Sequence, residues 1–206
     1  MILDFHTHKP TAEGVITPRC FGIHPWDADQ YPDTIDPQPF EALATNGQLE
    51  WIGECGIDAL RGPSLSKQID IFKQQLSLAE RLNKPVVIHC VRCWTQLLQL
   101  RKQFHATPWV VHGFTGPPEL FDDLWRHDIK ISVGAALLNP KCTKLHRTLQ
   151  HAGPNHLLFE TDDSDADIHD IYIAAANILG ISTKSLCHEV LYYFSLINSP
   201  LGLNSK

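Results

Sequence analysis

Two histidines separated by one residue, His6 and His8, close a short apolar run near the start of the chain. Because side chains of a β-strand alternate between its two faces, a strand here would point both imidazoles in the same direction. Neighbouring neutral imidazoles are well suited to hold a divalent metal such as zinc. An HxH pair by itself fits two unrelated histidines equally well, so the rest of the sequence must decide.

Further imidazole and carboxylate side chains stand where other predicted strands end. They are Glu54, His89, His112 and Asp162, and His24 closes one more predicted strand. The carboxyl ends of the strands in a (β/α) barrel meet at one mouth, where the active sites of such barrels lie. A single histidine at a strand end is more often structural, but so many histidines and acids at one rim are costly without a compensating charge. The sequence therefore predicts a divalent metal centre.

The elements that must position these residues alternate between strand and helix. The predicted strands are 2–8, 15–16, 20–24, 50–54, 86–89, 109–112, 129–132 and 157–162, with a loop at 26–39 and a turn at 55–58. The predicted helices are 40–46, 66–83, one beginning near 94, one opened by 117–118, 141–152, 167–179 and 183–197. Strands that are apolar on both faces are typical of parallel sheets covered by helices. Seven clear strands and a short eighth favour a TIM-like (β/α) barrel over an open doubly wound sheet, and no nucleotide-binding glycine motif occurs.

Length and composition predict a single domain over residues 1–206. The net charge of −6 argues against a broad basic surface for nucleic acid. It leaves room for a local phosphate site in which bound cations supply the positive charge. No basic leader precedes the first apolar segment, and no apolar run approaches the ~18 residues that span a membrane. We therefore expect a cytoplasmic protein with reduced cysteines and no membrane association.

Six short motifs resemble, in family order, those of the TatD family of metal-dependent hydrolases, which are often described as deoxyribonucleases. The motifs are His-Thr-His at 6–8, Gly-Ile-His-Pro at 22–25, Ile-Gly-Glu-Cys-Gly-Ile-Asp at 52–58, Val-Ile-His at 87–89, His-Gly-Phe-Thr-Gly at 112–116 and Leu-Phe-Glu-Thr-Asp at 158–162. The resemblance implies an α/β, TIM-like (β/α) barrel of the metal-dependent hydrolase type. Its second βα unit is expected to be shortened or missing, because few residues separate the first motif from the second.

The resemblance also implies a centre with one or two divalent ions, which could be zinc, magnesium or manganese. It assigns His6, His8 and Asp162 to the first metal and Glu54, His89 and His112 to the second, with Glu54 as the bridge. Asp162 and Glu54 are then the catalytic carboxylates. Asp162 would orient a metal-activated water and accept its proton.

Substrate contacts are marked less clearly by the sequence. The candidates are His24, Arg61 and Arg92, of which the arginines could meet a phosphate as bidentate donors. Asp58 is expected to orient its own loop or a neighbouring ligand. The resemblance implies hydrolysis of phosphodiester bonds in DNA or oligonucleotides, with no obligate protein partner. Two alternatives stay open: a barrel hydrolase of another small phosphate, ester or amide, and a non-enzymatic relative that retains its metal site.

Overall fold

The computed structural model describes residues 1–199, and within this range the chain forms eight β-strands and seven α-helices. The strands are β1 (Ile2–Leu3), β2 (Val15–Ile16), β3 (Cys20–Phe21), β4 (Trp51–Asp58), β5 (Val86–Val91), β6 (Trp109–Val111), β7 (Ile129–Val133) and β8 (Leu157–Phe159). The helices are α1 (Gln38–Thr45), α2 (Leu65–Leu82), α3 (Trp94–Arg101), α4 (Pro118–Arg126), α5 (Thr143–Ala152), α6 (Ile168–Leu179) and α7 (Thr183–Ile197). Short 3-10 helices lie at Pro25–Gln30, Ala135–Leu138 and Pro154–His156.

The described chain divides into two compact units. Unit 1 contains Met1–Pro18 and the described residues from His112 onward, and unit 2 contains Arg19–Val111. Both units combine parallel strands with helices, so the α/β class predicted from the sequence is observed in each.

Unit 2 contains four parallel strands in the order β3, β4, β5, β6. Strand β4 is buried along its whole length, as expected of a parallel strand with both faces covered. The register places Gly56 of β4 opposite His89 of β5. The polar residues of both strands are thereby carried to the same end of the sheet.

Helix α2 packs against β4 and fixes the chain ahead of His24. It begins after Ser64, whose hydroxyl accepts a hydrogen bond from the first turn. Its apolar residues recur at three- and four-residue steps, as in any helix with one buried face. The buried ones include Ile71, Phe72, Leu76 and Ala79. The buried amide of Gln75 accepts the N–H of Ile23 at 2.7 Å and donates to its carbonyl at 3.0 Å.

Unit 1 contains two parallel strand pairs, β1 with β2 and β7 with β8. The chain continuing from β1 stays beside β8, because the N–H of Phe5 donates to the carbonyl of Phe159 at 2.8 Å. The hydroxyl of Tyr172 in α6 donates to the carbonyl of Leu3 at 2.9 Å. These side chains are all fully buried and anchor β1 in the core of the unit.

The structure corrects several element boundaries. The strand predicted at 2–8 ends at Leu3, and the one predicted at 157–162 ends at Phe159. The turn predicted at 55–58 is wrong, because β4 runs on to Asp58. Part of the loop predicted at 26–39 is a 3-10 helix, and α1 begins at Gln38.

The second βα unit is shortened as predicted. Strand β2 is present with two residues, and residues 17–19 lead directly into β3 without a helix. A crossover helix normally needs a connection of a dozen or more residues, so three residues cannot supply one.

The cysteines are all free thiols. Burial, with the nearby Glu50 carboxylate, raises the pKa of the Cys20 thiol to about 12, so this thiol stays protonated and unreactive. Among residues 1–199, no helix has the length and apolar composition needed to cross a membrane.

Candidate metal centre

Backbone hydrogen bonds hold the chain after β1 alongside the chain after β8. The N–H of Asp162 donates to the carbonyl of His6 at 2.9 Å, and the N–H of His8 donates to the carbonyl of Asp162 at 3.1 Å. Thr7, between the two histidines, therefore forms an isolated parallel bridge with Asp162. Asp162 has a φ of +53°, a left-handed conformation that Asp tolerates better than most residues. This pairing, rather than strand alternation, brings both imidazoles to one carboxylate.

The distances in this cluster are those of ligands around a cation. Nε2 of His6 lies 3.9 Å and Nε2 of His8 lies 3.5 Å from Oδ1 of Asp162. The two imidazole rings are 5.0 Å apart and nearly perpendicular, at 81°. Donor atoms bound to one tetrahedral zinc at about 2.1 Å lie roughly 3.4 Å from one another. The structure thus brings together the three residues that the family resemblance assigns to the first metal.

The chemistry of this donor set fits a divalent metal. Neutral imidazole nitrogen and carboxylate oxygen suit zinc, and a mixed shell of this kind also suits manganese. Three protein ligands are the usual number in a catalytic zinc site, which keeps its fourth position open for water or substrate. The Asp162 side chain is 32% exposed, so this cluster is open on one side.

His112 joins the same cluster in unit 1. Its ring lies 4.8 Å from that of His6. Its Nδ1 is 4.0 Å from Oδ2 of Asp162 and 3.4 Å from Oε1 of Glu160. The family resemblance assigns His112 to the second metal with Glu54 and His89, whereas unit 1 surrounds it with Asp162 and Glu160.

Glu160 is a site residue that the sequence reasoning missed. Its side chain is 0% exposed, and its Oε1 accepts the N–H of Gly113 at 2.6 Å. Burial raises the pKa of Glu160, but interactions with His112, His6 and Ser132 outweigh it and leave the pKa below its usual value. A carboxylate behind an imidazole fixes the ring and makes it a more basic ligand. The signal for Glu160 in the sequence is an acid inside the predicted apolar strand 157–162. A buried acid requires a partner, so this position indicates a polar site.

Asp4 holds the backbone that carries Asp162. One of its carboxylate oxygens accepts the N–H of Thr161 at 2.9 Å, and the other accepts the Thr161 hydroxyl at 2.7 Å. Burial raises the pKa of Asp4, and these hydrogen bonds offset only part of that effect. The residue before Asp162 is therefore fixed by two buried hydrogen bonds.

A cavity of about 200 Å³ opens beside Asp162 in unit 1. Small and hydroxyl-bearing residues form most of its wall, and they include Gly113, Thr115, Gly134, Ala135 and Ser164. Because these side chains are short, there is space next to the Asp162 carboxylate for a water molecule and part of a substrate.

In unit 2, Glu54 gathers two imidazoles. Its Oε1 lies 2.7 Å from Nδ1 of His89 and 3.2 Å from Nε2 of His24. The N–H of Trp26 donates to Nδ1 of His24 at 3.2 Å, which leaves the proton of neutral His24 on Nε2 to donate to Glu54. The donor atoms of Glu54, His24 and His89 lie close enough together to hold a metal, but these separations are those of hydrogen bonds.

Asp58 supports His89 from the other side. Its Oδ2 lies 3.3 Å from Nε2 of His89 and accepts the indole N–H of Trp26 at 2.7 Å. Its Oδ1 accepts the backbone N–H groups of Leu60 at 2.8 Å and Arg61 at 3.2 Å. Burial raises the pKa of Asp58, but hydrogen bonds from Trp26, Leu60 and His89 bring it below its usual value. Asp58 thus orients both its own loop and a neighbouring imidazole.

Two glycines allow β4 to approach β5 closely enough to form this cluster. Gly56 has a φ of +149°, and a Cβ there would lie 2.0 Å from the carbonyl oxygen of His89. Gly53 has a φ of +139°, and its Cβ would lie 2.4 Å from the carbonyl oxygen of Val87. A side chain at either position would push the two strands apart.

The three predicted substrate residues occupy different surroundings in unit 2. His24 belongs to the Glu54 cluster. The guanidinium of Arg61 lies over the ring of Trp26, 4.9 Å from its centroid. Arg92 is exposed directly after β5, with a φ of +53°. Arg61 is connected to the Glu54 cluster through Trp26, whose ring contacts those of His24 and His89.

The sequence is similar to that of proteins of a known family. The family model described as TatD related DNase matches residues 11–171. The "3'-5' ssDNA/RNA exonuclease TatD" of Pectobacterium atrosepticum is 33% identical over 150 residues, which is 68% of this chain and 55% of the relative. The "Uncharacterized metal-dependent hydrolase YjjV" of Escherichia coli is 28% identical over 151 residues, 72% of this chain and 58% of the relative. The chain thus spans little more than half the length of these curated relatives.

Solved structures show the same relationship at the level of fold. The crystal structure of the TatD homologue YjjV from Escherichia coli matches with a TM-score of 0.78 at 20% identity, covering 92% of this chain and 79% of that one. A TatD family hydrolase from Entamoeba histolytica matches with a TM-score of 0.74 at 19% identity, covering 89% and 74%. This likeness confirms the fold class predicted from the sequence, an α/β fold of the TIM-like type.

Proposed function

Because the chain belongs to the TatD family, we propose that it is a metal-dependent hydrolase that cleaves phosphodiester bonds in DNA or oligonucleotides. The observation that carries this proposal is the arrangement of His6, His8 and Asp162, whose donor atoms stand at the spacing of ligands around one divalent cation. The substrate class is supported by relatives that are named 3'-5' ssDNA/RNA exonucleases.

The proposed cofactor is one or two divalent ions, zinc, manganese or magnesium. The proposed ligands are His6, His8, His112 and Asp162 in unit 1, and Glu54 and His89 in unit 2. When bound, such an ion lowers the pKa of a coordinated water toward neutrality and neutralises charge that develops on phosphorus. Cations at the site would also let a chain with a net charge of −6 accept a polyanionic substrate.

Asp162 and Glu54 are the proposed catalytic carboxylates. Asp162 is partly exposed and borders the cavity in unit 1, so it can orient an attacking water and accept its proton. Glu160 keeps the His112 ring in place behind it. Glu54 lies 2.7 Å from a nitrogen of His89, and this pair would hold the second ion, when one is bound, which would neutralise charge on the leaving oxygen.

The test is an assay of metal-stripped protein with zinc, manganese or magnesium added back in turn. Substrates are a single-stranded DNA oligonucleotide, a phosphomonoester and a carboxyl ester. Asp162→Asn removes the carboxylate charge with little change in size, and His188→Ala removes an exposed imidazole of α7 as the matched control. We expect metal-dependent cleavage of the oligonucleotide, a loss of about 10²–10⁴-fold for Asp162→Asn, and full activity for His188→Ala.

Other results would replace the proposal. Cleavage of only the carboxyl ester or phosphomonoester would favour the alternative, a barrel hydrolase of a small substrate. Metal uptake without hydrolysis of any of these substrates would favour the non-enzymatic alternative, and absence of metal uptake would contradict the proposal. Equal loss in both variants would show that Asp162 has no special role.

A further inference from the structure

An exposed tryptophan is held rigidly next to the Glu54 cluster of unit 2. Trp26 lies in the 3-10 helix Pro25–Gln30, and 39% of it is exposed. Its indole N–H nevertheless donates to the buried carboxylate of Asp58 at 2.7 Å. Its ring centroid lies 4.7 Å from that of His24 and 5.7 Å from that of His89. The indole is therefore both fixed in orientation and accessible from solvent.

Arg61 contacts this indole from above its ring and covers part of one face. Its guanidinium lies over the Trp26 ring at 4.9 Å, and its backbone N–H is bound by the same Asp58 carboxylate at 3.2 Å. The loop can pass this close because a Cβ at Gly62 would lie 2.9 Å from the Trp26 Cα, where glycine has none. One buried acid thus fixes both members of the pair.

The charge of Arg61 is not neutralised within the part of the chain that the structure describes. No carboxylate of residues 1–199 forms an ion pair with its guanidinium, whereas Arg19, Arg81 and Arg126 all have such partners. A stacked guanidinium keeps its N–H edge directed outward, where it can bind a phosphate oxygen. Proteins bind single-stranded nucleic acid through these two features, since a base can stack on an exposed indole and a phosphate can pair with an unneutralised cation.

We propose that Trp26 and Arg61 form a nucleotide subsite in unit 2, in which a base of a single-stranded substrate stacks against the exposed part of the indole while Arg61 binds the adjoining phosphate. This rests on the proposed phosphodiesterase function and goes beyond it by assigning base recognition to a specific pair. Base stacking on an aromatic side chain is tolerant of sequence, so the subsite favours single strands over duplexes without selecting one base.

The test separates base recognition from phosphate recognition by using two oligonucleotides of equal length. One is ordinary single-stranded DNA, and the other carries abasic sugars throughout with the same phosphate backbone. Binding to the metal-loaded protein is measured by fluorescence anisotropy, with cleavage-resistant phosphorothioate linkages in both strands so that no cleavage is required. Trp26→Ala is compared with Trp125→Ala, which removes a similarly exposed indole of α4 in unit 1. Thermal unfolding of each variant verifies that it is folded.

Trp26→Ala should weaken binding of ordinary DNA by about 10-fold or more and leave binding of the abasic strand unchanged. Trp125→Ala should change neither. Arg61→Ala should weaken binding of both strands and reduce the salt dependence of binding by about one ion, and Arg61→Lys should restore that charge but not the stacking.

Equal weakening of both strands by Trp26→Ala would overturn the subsite, as would an effect of Trp125→Ala of the same size. If Trp26→Ala fails to fold, the variants of the exposed Arg61 provide the test. The proposal is overturned if Arg61→Ala binds both strands as tightly as the unmodified protein. Binding of this pattern without any cleavage would retain the subsite and refute the phosphodiesterase function. Cleavage without any difference between the ordinary and the abasic strand would refute the subsite and retain the phosphodiesterase function.

Discussion

The two clusters of histidines and acids differ in how closely their polar atoms approach. In unit 1, the nitrogens of His6 and His8 lie 3.9 and 3.5 Å from the Asp162 carboxylate. In unit 2, those of His89 and His24 lie 2.7 and 3.2 Å from Glu54. The first separations leave space for a cation, and the second are already closed by hydrogen bonds.

The difference implies two kinds of metal affinity. The proposed ligands of unit 1 stand at a spacing that a metal can use with little rearrangement, so little reorganisation should oppose binding. In unit 2, a metal must replace the proton shared by Glu54 and His89, because ligands bind metals in their deprotonated form. We therefore expect the unit 1 cluster to fill first and the unit 2 cluster to bind more weakly and with proton release.

The largest expected effect comes from removing one ligand in each cluster in turn. His8→Ala should weaken the first equivalent of zinc by on the order of 10²–10³-fold, one ligand's share of the roughly 10–16 kcal/mol that four-ligand zinc sites supply. His89→Ala should leave that equivalent intact and weaken only the second. Isothermal titration of stripped protein measures both. If His8→Ala and His89→Ala weaken binding of the first zinc equivalent equally, the ranking of the two clusters is wrong.

Gly56→Ala should damage the unit 2 cluster. The added methyl group would lie 2.0 Å from the carbonyl oxygen of His89, at a φ of +149°. We expect a loss of about 2–4 kcal/mol in unfolding free energy, from steric overlap and backbone strain together. Denaturant unfolding measures the loss.

Gly47→Ala is the matched control for this substitution. Gly47 also has a positive φ, of +67°, but nothing lies within 4 Å of its Cβ position. Its loss should be only about 1 kcal/mol, from the left-handed backbone alone. A similar loss in both variants would show that close approach of β4 to β5 is unimportant.

Glu160→Gln tests the support behind His112 in unit 1. The amide oxygen can still accept the Gly113 N–H, but the charge facing the imidazole is lost. Loss of such a supporting carboxylate typically costs about 10–100-fold in metal affinity or activity. We expect that reduction in the first metal equivalent, with the second unchanged. Exposed Glu119→Gln on α4 should have no effect.

The smallest effect is the proton balance of metal binding. Titrations in buffers with different ionisation enthalpies should show more protons released by the second equivalent than by the first. The expected difference is about one proton, the one now between Glu54 and His89. Identical proton release for both equivalents would mean that the clusters do not differ in this respect.

The sequence predicts most of this fold because the elements carry local signals. Helix α2 and strand β5 lie within a few residues of their predicted bounds, since one has an unbroken apolar face and the other an apolar run after a proline. The end of β4 could not be predicted in this way. Gly56 is a turn former in isolation, and only the approach of the His89 carbonyl explains a glycine within a strand.

The same distinction applies to the candidate site, where residue types can be predicted from the sequence but the contacts between them cannot. The sequence identifies His6, His8 and Asp162 by type, but the contact that joins them is a backbone pairing across more than 150 residues. Strand alternation cannot identify Glu160 as a site residue, because it predicts which face an acid occupies but not which side chain it contacts there. The sequence predicts a loop at Trp26, because the residue that anchors it, Asp58, is distant in sequence and adjacent only in the fold.

The left-handed backbone at Asp162 restricts the route by which this position can change during evolution. Glycine and asparagine accept a φ of +53° at little cost, whereas a β-branched residue there is strongly strained. Descendants that lose the carboxylate yet keep the fold should therefore pass through Asn or Gly. Descendants that keep a carboxylate should keep aspartate, because this side chain both tolerates the left-handed backbone and supplies the carboxylate.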